Sequence, residues 1–207
     1  MSATWTQKET GLTFKSAPRI SVGKTLDMDV ITVYPTFRIG LKDTDHNAYI
    51  SGYPDRLVRP NNTLTRAEAA QIIFELMTDE SKAQYAKKAG KTFIDVGKDH
   101  WAYEAITMMT KANILVGMGD GRFDPDAVMT REQFATMLWR YAGEPASSYS
   151  LSAFTDAGSM SGWAETAMSW AVEHGIITGV TNTTLVPQGS ATRAQCAAML
   201  MRFVELG

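Results

Sequence analysis

The stretch GMGDGRFDP at residues 117–125, with Thr130-Arg131 after it, has two counterparts in the same chain. GYPDRLVRP runs from Gly52 to Pro60 and is followed by Thr65-Arg66; GVTNTTLVP runs from Gly179 to Pro187 and is followed by Thr192-Arg193. The spacing from glycine to proline, and from proline to arginine, is the same in all three. Three phrases in one register identify an internal repeat, and the rest of the chain is read against it.

The middle copy defines the unit. It opens with TFIDVGKDHWAYEAITMMTKANI, in which Asp99 is a plausible N-cap. Trp101, Ala105, Met108, Met109 and Ala112 then fall near helical spacing, which predicts a first helix over about 100–112. After the Gly-to-Pro loop, Thr130 starts a second helix with Phe134, Met137, Leu138 and Tyr141 on one face, stopped by Gly143-Glu144-Pro145. The third copy repeats this order, with Phe154 and Asp156 matching Phe93 and Asp95, and Trp163 matching Trp101. The first copy has the loop and the second helix, but DHNAYISGY leads straight into the loop with Asn47 where the tryptophan would stand. A polar helical extension, DESKAQYAKKAGK, follows its second helix.

Residues 1–42 lie outside the repeat. GLTFKSAPRISV and MDVITVYPTFRI are rich in β-branched and aromatic residues and read as short strands or a hairpin. The fold expected is mainly α, with a short N-terminal β segment at 1–42 that is either the end of a preceding domain or an edge packed on the repeats. Repeat one would span 43–92, repeat two 93–148 and repeat three 149–207.

Composition narrows the function. The 207 residues, 44% hydrophobic and 20% charged, are those of a globular chain, and a net charge of −2 gives no electrostatic reason to expect nucleic acid. No apolar run is long enough to span a bilayer. The N-terminus lacks the pattern of a signal peptide, so the chain is either intracellular or a fragment of a longer exported protein. Cys196 cannot form an intrachain disulfide and reads as a small core residue. Asp43, Asp45 and Asn47 resemble the start of a calcium loop, but Ala48 and Pro54 replace its glycine and closing glutamate. The three histidines are too scattered for a metal site, and no nucleophile elbow, phosphate-binding loop or Cys-x-x-Cys motif is present.

The repeated residues have structural and functional readings. Thr65 with Glu68, Thr130 with Gln133, and Thr192 with Gln195 form capping boxes, which is sufficient reason for those residues. Gly52, Gly117 and Gly179 shape the turn, where glycine can supply a positive φ. Arg66, Arg131 and Arg193 stand at the first helical position, where the macrodipole disfavours a cation. Either each pairs with an acid such as Asp95 or Asp156, or it joins free N–H groups of the helix terminus in a site for a carboxylate or phosphate. Trp101 and Trp163 either anchor the core or offer a flat face to a sugar ring.

FIDVGKDHWAYEAITMMTKANILVGMGDGRFDPDAVMTREQFATML resembles an S-layer homology repeat: Phe-x-Asp, His-Trp-Ala, the Gly-x-Gly-Asp-Gly-x-Phe-x-Pro loop containing Asp120, and Thr-Arg-Glu all match. The third copy matches more loosely, and the first from Ala48, including LTRAE at Leu64 to Glu68. The resemblance covers roughly residues 43–207. It implies a pseudo-threefold bundle with grooves between repeats, a non-catalytic module without cofactor or metal. Such modules anchor exported proteins at the bacterial cell surface through secondary cell-wall polysaccharide, commonly carrying pyruvylated sugar. The resemblance makes the arginine, here Arg66, Arg131 and Arg193, the expected partner of the pyruvate carboxylate, and Glu68, Trp101, Trp163, Asp120 and the three loop glycines complete the candidate ligand-binding set. Partners would be cell-wall polysaccharide or a peptidoglycan-linked glycan, with S-layer or other surface proteins as neighbours. The alternative is a structural or protein-interaction scaffold with degenerate grooves. Gln133 and Gln195 depart from the family glutamate, and the first copy lacks a helix, so one or two working grooves are expected rather than three.

Overall fold

The computed structural model describes residues 4–6, 13–15, 52–53 and 55–206. Two short strands, β1 (Thr4–Thr6) and β2 (Thr13–Lys15), pair antiparallel with Thr4 opposite Lys15 and Thr6 opposite Thr13. They belong to a unit covering Met1–Val33 that is distinct from the unit Tyr34–Gly207. β2 falls inside the predicted strand-rich stretch and β1 before it. The stretch MDVITVYPTFRI, DHNAYIS and the rejected calcium-loop residues lie outside the described residues.

The second unit is helical where it is described. α1 (Arg66–Leu76) and α2 (Asp79–Ala86) come from the first copy, α3 (Tyr103–Lys111) and α4 (Arg131–Tyr141) from the second, and α5 (Glu165–Glu173) and α6 (Arg193–Val204) from the third. α2 confirms the polar extension. α3 is shorter than predicted at its start. His100 and Tyr103 close backbone turns first, the N-cap is Ala102, and Asp99 makes no cap. The imidazole of His100 takes that place locally, its Nδ1 accepting the Ala102 N–H at 3.1 Å. At the far end, Asn113 and Gly175 occupy the left-handed conformation just past α3 and α5, the role those two residue types fill best.

The apolar stripes read from the sequence face the core. Ala105, Met109, Phe134, Leu138 and Tyr141 are fully buried, and Met108, Ala112 and Met137 nearly so. Burying each of the larger ones stabilises the fold by about 1.5–3 kcal/mol. α1 packs against α3, and α4 against α5, so the second helix of one copy meets the first helix of the next. Among the described residues Trp170 of α5 is the largest buried side chain, set edge-on to Phe203 at 6.3 Å, and its Nε1 has no hydrogen-bond partner there. Cys196 is buried as expected, and desolvation pushes its thiol up to about 12.

Three residues close the bundle. Leu64, Met129 and Ala191, each one place before a capping threonine, are fully buried. Leu64 N–H donates to Ala191 C=O, Ala191 N–H to Met129 C=O, and Met129 N–H to Leu64 C=O, at 2.9–3.0 Å. The ring has three members and each copy supplies one, which fixes a pseudo-threefold axis. Backbone groups buried at such a centre must be paired, and here the three copies pair one another.

Candidate functional site

Each capping box is formed as read. Thr65, Thr130 and Thr192 accept the N–H of Glu68, Gln133 and Gln195, whose side chains accept the threonine N–H in return. The N–H groups ahead of these are not free, which corrects the expectation of an open helix terminus. Arg66 and Ala67 donate to the carbonyls of Ala127 and Pro125, Arg131 and Glu132 to Gly189 and Pro187, and Arg193 and Ala194 to Asn62 and Pro60. Each helix start is thus capped by the loop of the next copy, in a closed cycle. The threefold fold consumes the donors that an isolated helix would expose.

The arginine side chains follow the same cycle. Arg66 donates from Nε to Phe123 C=O at 2.9 Å and from Nη2 to Val116 C=O at 2.8 Å. Arg131 donates to the equivalent carbonyls of Leu185, at 2.8 Å, and Thr178, at 3.1 Å. Arg193 donates from Nε to Val58 C=O at 3.0 Å. Only 6%, 5% and 4% of the surfaces of Arg66, Arg193 and Arg131 stay exposed. The unfavourable first-turn position is offset because each guanidinium reaches away from its own helix onto carbonyls of the next loop. Burial depresses the pKa of Arg66 and of Arg131.

Asp95 and Asp156 do not form ion pairs with these arginines. The Asp95 carboxylate accepts the N–H of Phe123 and of Asp124, and Asp156 accepts those of Leu185 and Val186, at 2.7–3.2 Å. Desolvation pushes the Asp95 carboxyl up, but the backbone donors more than offset it and hold it below the usual carboxylate range. The donors of Leu185 and Val186 do the same for Asp156. Asp124 and Val186, and Arg59 in the first copy, are non-glycine residues at positive φ immediately before the loop proline. Such a conformation costs on the order of 1–2 kcal/mol, and the aspartates supply the compensating bonds in copies two and three.

The loop glycines act through space rather than φ. A Cβ on Gly117 would sit 2.5 Å from the Phe93 ring and 2.8 Å from Arg122 O; one on Gly179 would sit 2.0 Å from Thr181 O and 3.2 Å from the Phe154 ring. Gly52 faces only an ordinary contact with Leu57 O at 3.4 Å. Asp120 is held within its own loop by Arg122, at 2.8 Å. Trp101 and Trp163 do not anchor the core: they are 62% and 56% exposed, Trp101 stacking on His100 at 5.7 Å.

The first copy adds residues the repeat pattern did not single out. The Tyr53 hydroxyl donates to Glu68 Oε1 at 2.9 Å, and Arg193 Nη1 donates to the same oxygen at 3.4 Å. The guanidiniums of Arg59 and Arg193 both lie over the Tyr53 ring, at 4.4 and 4.6 Å from its centre. The available signal was a departure between copies, tyrosine after Gly52 where Met118 and Val180 stand elsewhere. In copy two, Glu132 is buried and its carboxylate accepts the N–H and hydroxyl of Ser161, tying α4 to the start of the third copy.

Among the described residues, concavities occur whose linings include none of the three arginines. A cleft of about 720 Å3 is lined by Ser147, Ser150, Ser161, Glu165 and Thr166 among others, and a smaller one of about 180 Å3 by Phe93, Val96, Tyr103 and Ile106. Trp163 stands beside the first, between its lining residues Gly162 and Glu165. Among the described residues there is no cluster suited to a metal ion and no helix long and apolar enough to cross a membrane.

Comparison with known proteins agrees with this repeat. The S-layer homology domain model matches residues 46–70, 92–135 and 153–197. A cellulosome-anchoring protein of Acetivibrio thermocellus is 35% identical over 79% of this chain and 37% of its own length. A surface-layer 125 kDa protein of Lysinibacillus sphaericus is 31% identical over 75% of this chain and 13% of its own. An amylopullulanase of Thermoanaerobacterium thermosulfurigenes is 31% identical over 75% of this chain and 8% of its own. The chain therefore spans well under half the length of these relatives. Three matched segments, one on each copy of a cyclically closed helical repeat, place this chain in the S-layer homology domain family.

Proposed function

We propose that this chain is a non-catalytic module that anchors a protein at the bacterial cell surface, outside the cell, by binding an acidic cell-wall polysaccharide at the corners between repeats. The observation that carries the reading is a buried, unneutralised charge. Arg66 and Arg131 are more than nine-tenths buried, and neither has an ion-pair partner among the described residues. Each commits Nε and Nη2 to carbonyls and, among the described residues, leaves Nη1 without a hydrogen bond. A desolvated guanidinium with spare donors favours a planar carboxylate, and the pyruvate ketal of a pyruvylated sugar supplies one. The exposed faces of Trp101 and Trp163 suit sugar stacking, and the serine-lined cleft beside Trp163 suits hydroxyl groups.

The relatives support the class of function. One is named for anchoring and another for a surface layer, and in the amylopullulanase the shared segment is 8% of the length, consistent with an accessory module. The scaffold reading is favoured by a different observation: every one of the three arginines also staples its helix to the next loop. Stapling alone would need neither an exposed tryptophan nor a spare Nη1.

Co-sedimentation with cell-wall sacculi, intact or stripped of polysaccharide, separates the two. The chain should pellet with intact walls and stay in solution with stripped ones. A Trp101→Ala/Trp163→Ala variant should melt like the parent and bind about tenfold more weakly, which is the loss of roughly 1.4 kcal/mol. Equal pelleting on stripped walls, or none on intact ones, would leave the scaffold reading standing.

A further inference from the structure

The lysines of the repeats are gathered in one place. From residue 43 to the end there are six, Lys82, Lys87, Lys88, Lys91, Lys98 and Lys111, and all fall within α2, α3 and the segment joining them. Three acids share that stretch, Asp95, Asp99 and Glu104, and Asp95 is committed to the N–H groups of Phe123 and Asp124. The stretch is cationic in a chain whose net charge is −2.

Four of the six lysines have a structural task. Lys82 and Lys88 lie over the rings of Phe74 and Tyr85, at 4.1 and 4.3 Å. Lys87 is the C-cap of α2, where the helix dipole favours a cation. Lys111 Nζ donates to Ala86 C=O at 2.8 Å and so satisfies a carbonyl at that same helix end. Lys91 and Lys98 have no such task. They stand between α2 and α3, both exposed, and among the described residues neither ammonium makes an ion pair or a hydrogen bond.

Both line the smaller concavity, of about 180 Å3, with Phe93, Val96, Tyr103 and Ile106 as its apolar floor. That volume is below the roughly 300–1,000 Å3 that holds a whole small molecule, and it suits one large side chain. An apolar floor gives a sugar or a phosphate polymer little to gain, whereas an aromatic or branched side chain would leave water there. The two ammonium groups add attraction for carboxylates on either side of it. The third copy has a cleft at the same place, lined by Ala157, Gly158, Glu165 and Ser169 in register with Val96, Gly97, Tyr103 and Thr107. No lysine lines it, and a carboxylate replaces the phenol, so the cationic apolar version belongs to the second copy.

We propose that this concavity is a docking site for an acidic peptide segment of a partner protein. One bulky apolar side chain of that segment enters the concavity, and flanking aspartates or glutamates meet Lys91 and Lys98. None of the three recurring arginines lines it, and the inference does not rest on the wall-binding reading, so either can fail alone.

The test is an NMR titration of the full chain with a short peptide in which glutamates flank one phenylalanine. The backbone N–H signals of Lys91, Val96, Lys98 and Thr107 should shift, and those of Ala157, Gly158 and Ser169 should stay in place. Changing the peptide's phenylalanine to serine, or its glutamates to glutamines, should each weaken binding about tenfold. Lys91→Glu/Lys98→Glu should weaken it by about as much without lowering the melting temperature, because both side chains are exposed and without partners among the described residues. Inorganic polyphosphate, a polyanion with no apolar group, should compete poorly. Absence of shifts between residues 91 and 107, or undiminished binding by the charge-reversed variant, would overturn the proposal. Equal binding of the serine peptide or of polyphosphate would also overturn it, since the lysines would then form a general polyanion surface.

Discussion

The loops of the second and third copies share only their first and last residues, yet they perform the same task. GMGDGRFDP reaches its tip with Gly119 and Gly121 at positive φ; GVTNTTLVP reaches it with a Thr181–Thr184 bridge whose two hydroxyls lie 2.6 Å apart. What the two have in common is a frame. A glycine sits under a phenylalanine ring, an aspartate grips two consecutive N–H groups, a left-handed residue precedes proline, and carbonyls receive the neighbouring arginine. The frame is held by backbone groups and by packing, so the tip is free to vary. The lesson is that likeness between copies has to be sought at framing positions rather than along the whole loop.

Breaking the frame should cost the two copies similarly, while changing the tips should not. The largest effect is expected from Arg66→Ala and Arg131→Ala, each of which leaves two loop carbonyls without donors and opens a cavity. Urea denaturation should show a loss of about 3–4 kcal/mol for each, equal to within about 1 kcal/mol despite the different loops. A clear inequality would mean that the tips share in holding the arginine.

Gly179→Ala should cost about 3 kcal/mol and Gly117→Ala about 2 kcal/mol, by the same measurement, because overpacking is worst where backbone is struck. The new methyl at residue 179 meets the Thr181 carbonyl, whereas at residue 117 part of the clash falls on the Phe93 ring, which can shift. Asp95→Ala removes the acceptor of the Phe123 and Asp124 N–H groups and should lower stability by about 1–2 kcal/mol. Gly121→Ala at the tip should cost about 1 kcal/mol, from the positive φ alone.

The aspartates also set a pH dependence. The Asp95 and Asp156 carboxyls are held below their ordinary value in the folded chain. Their contribution is therefore fully present above the unfolded carboxylate pKa near 4 and disappears as pH falls through the lower native values. Thermal melting should show an acid-side decline that is shallower in Asp95→Ala. An unchanged decline would remove the aspartate from the frame.

Much of this was visible in the sequence because repetition filters out chance. The capping boxes, the core faces of α3 and α4, and the stop at Gly143 follow from local periodicity and cap chemistry, and they stand as read. Asp99 was misread because a turn closed by His100 precedes α3, and a turn and a first helical turn look alike at that spacing. Trp101 and Trp163 were open to two readings because an aromatic at a helix start fits either the core or the surface; burial depends on what packs there. Trp170, at another position in the same copy, is the tryptophan the core took.

The sequence by itself determined the repeat, the capped starts of α1, α4 and α6, and the recurring arginine, because those depend on spacing and on bonds within a few residues. Only the tertiary structure decided that the helix termini are closed and that the arginines are stapled to the next copy. It also decided that Glu68, in the first copy, meets Arg193 in the third. These contacts join residues 47 to 135 positions apart, and no local pattern encodes which partner a chain meets when it closes on itself.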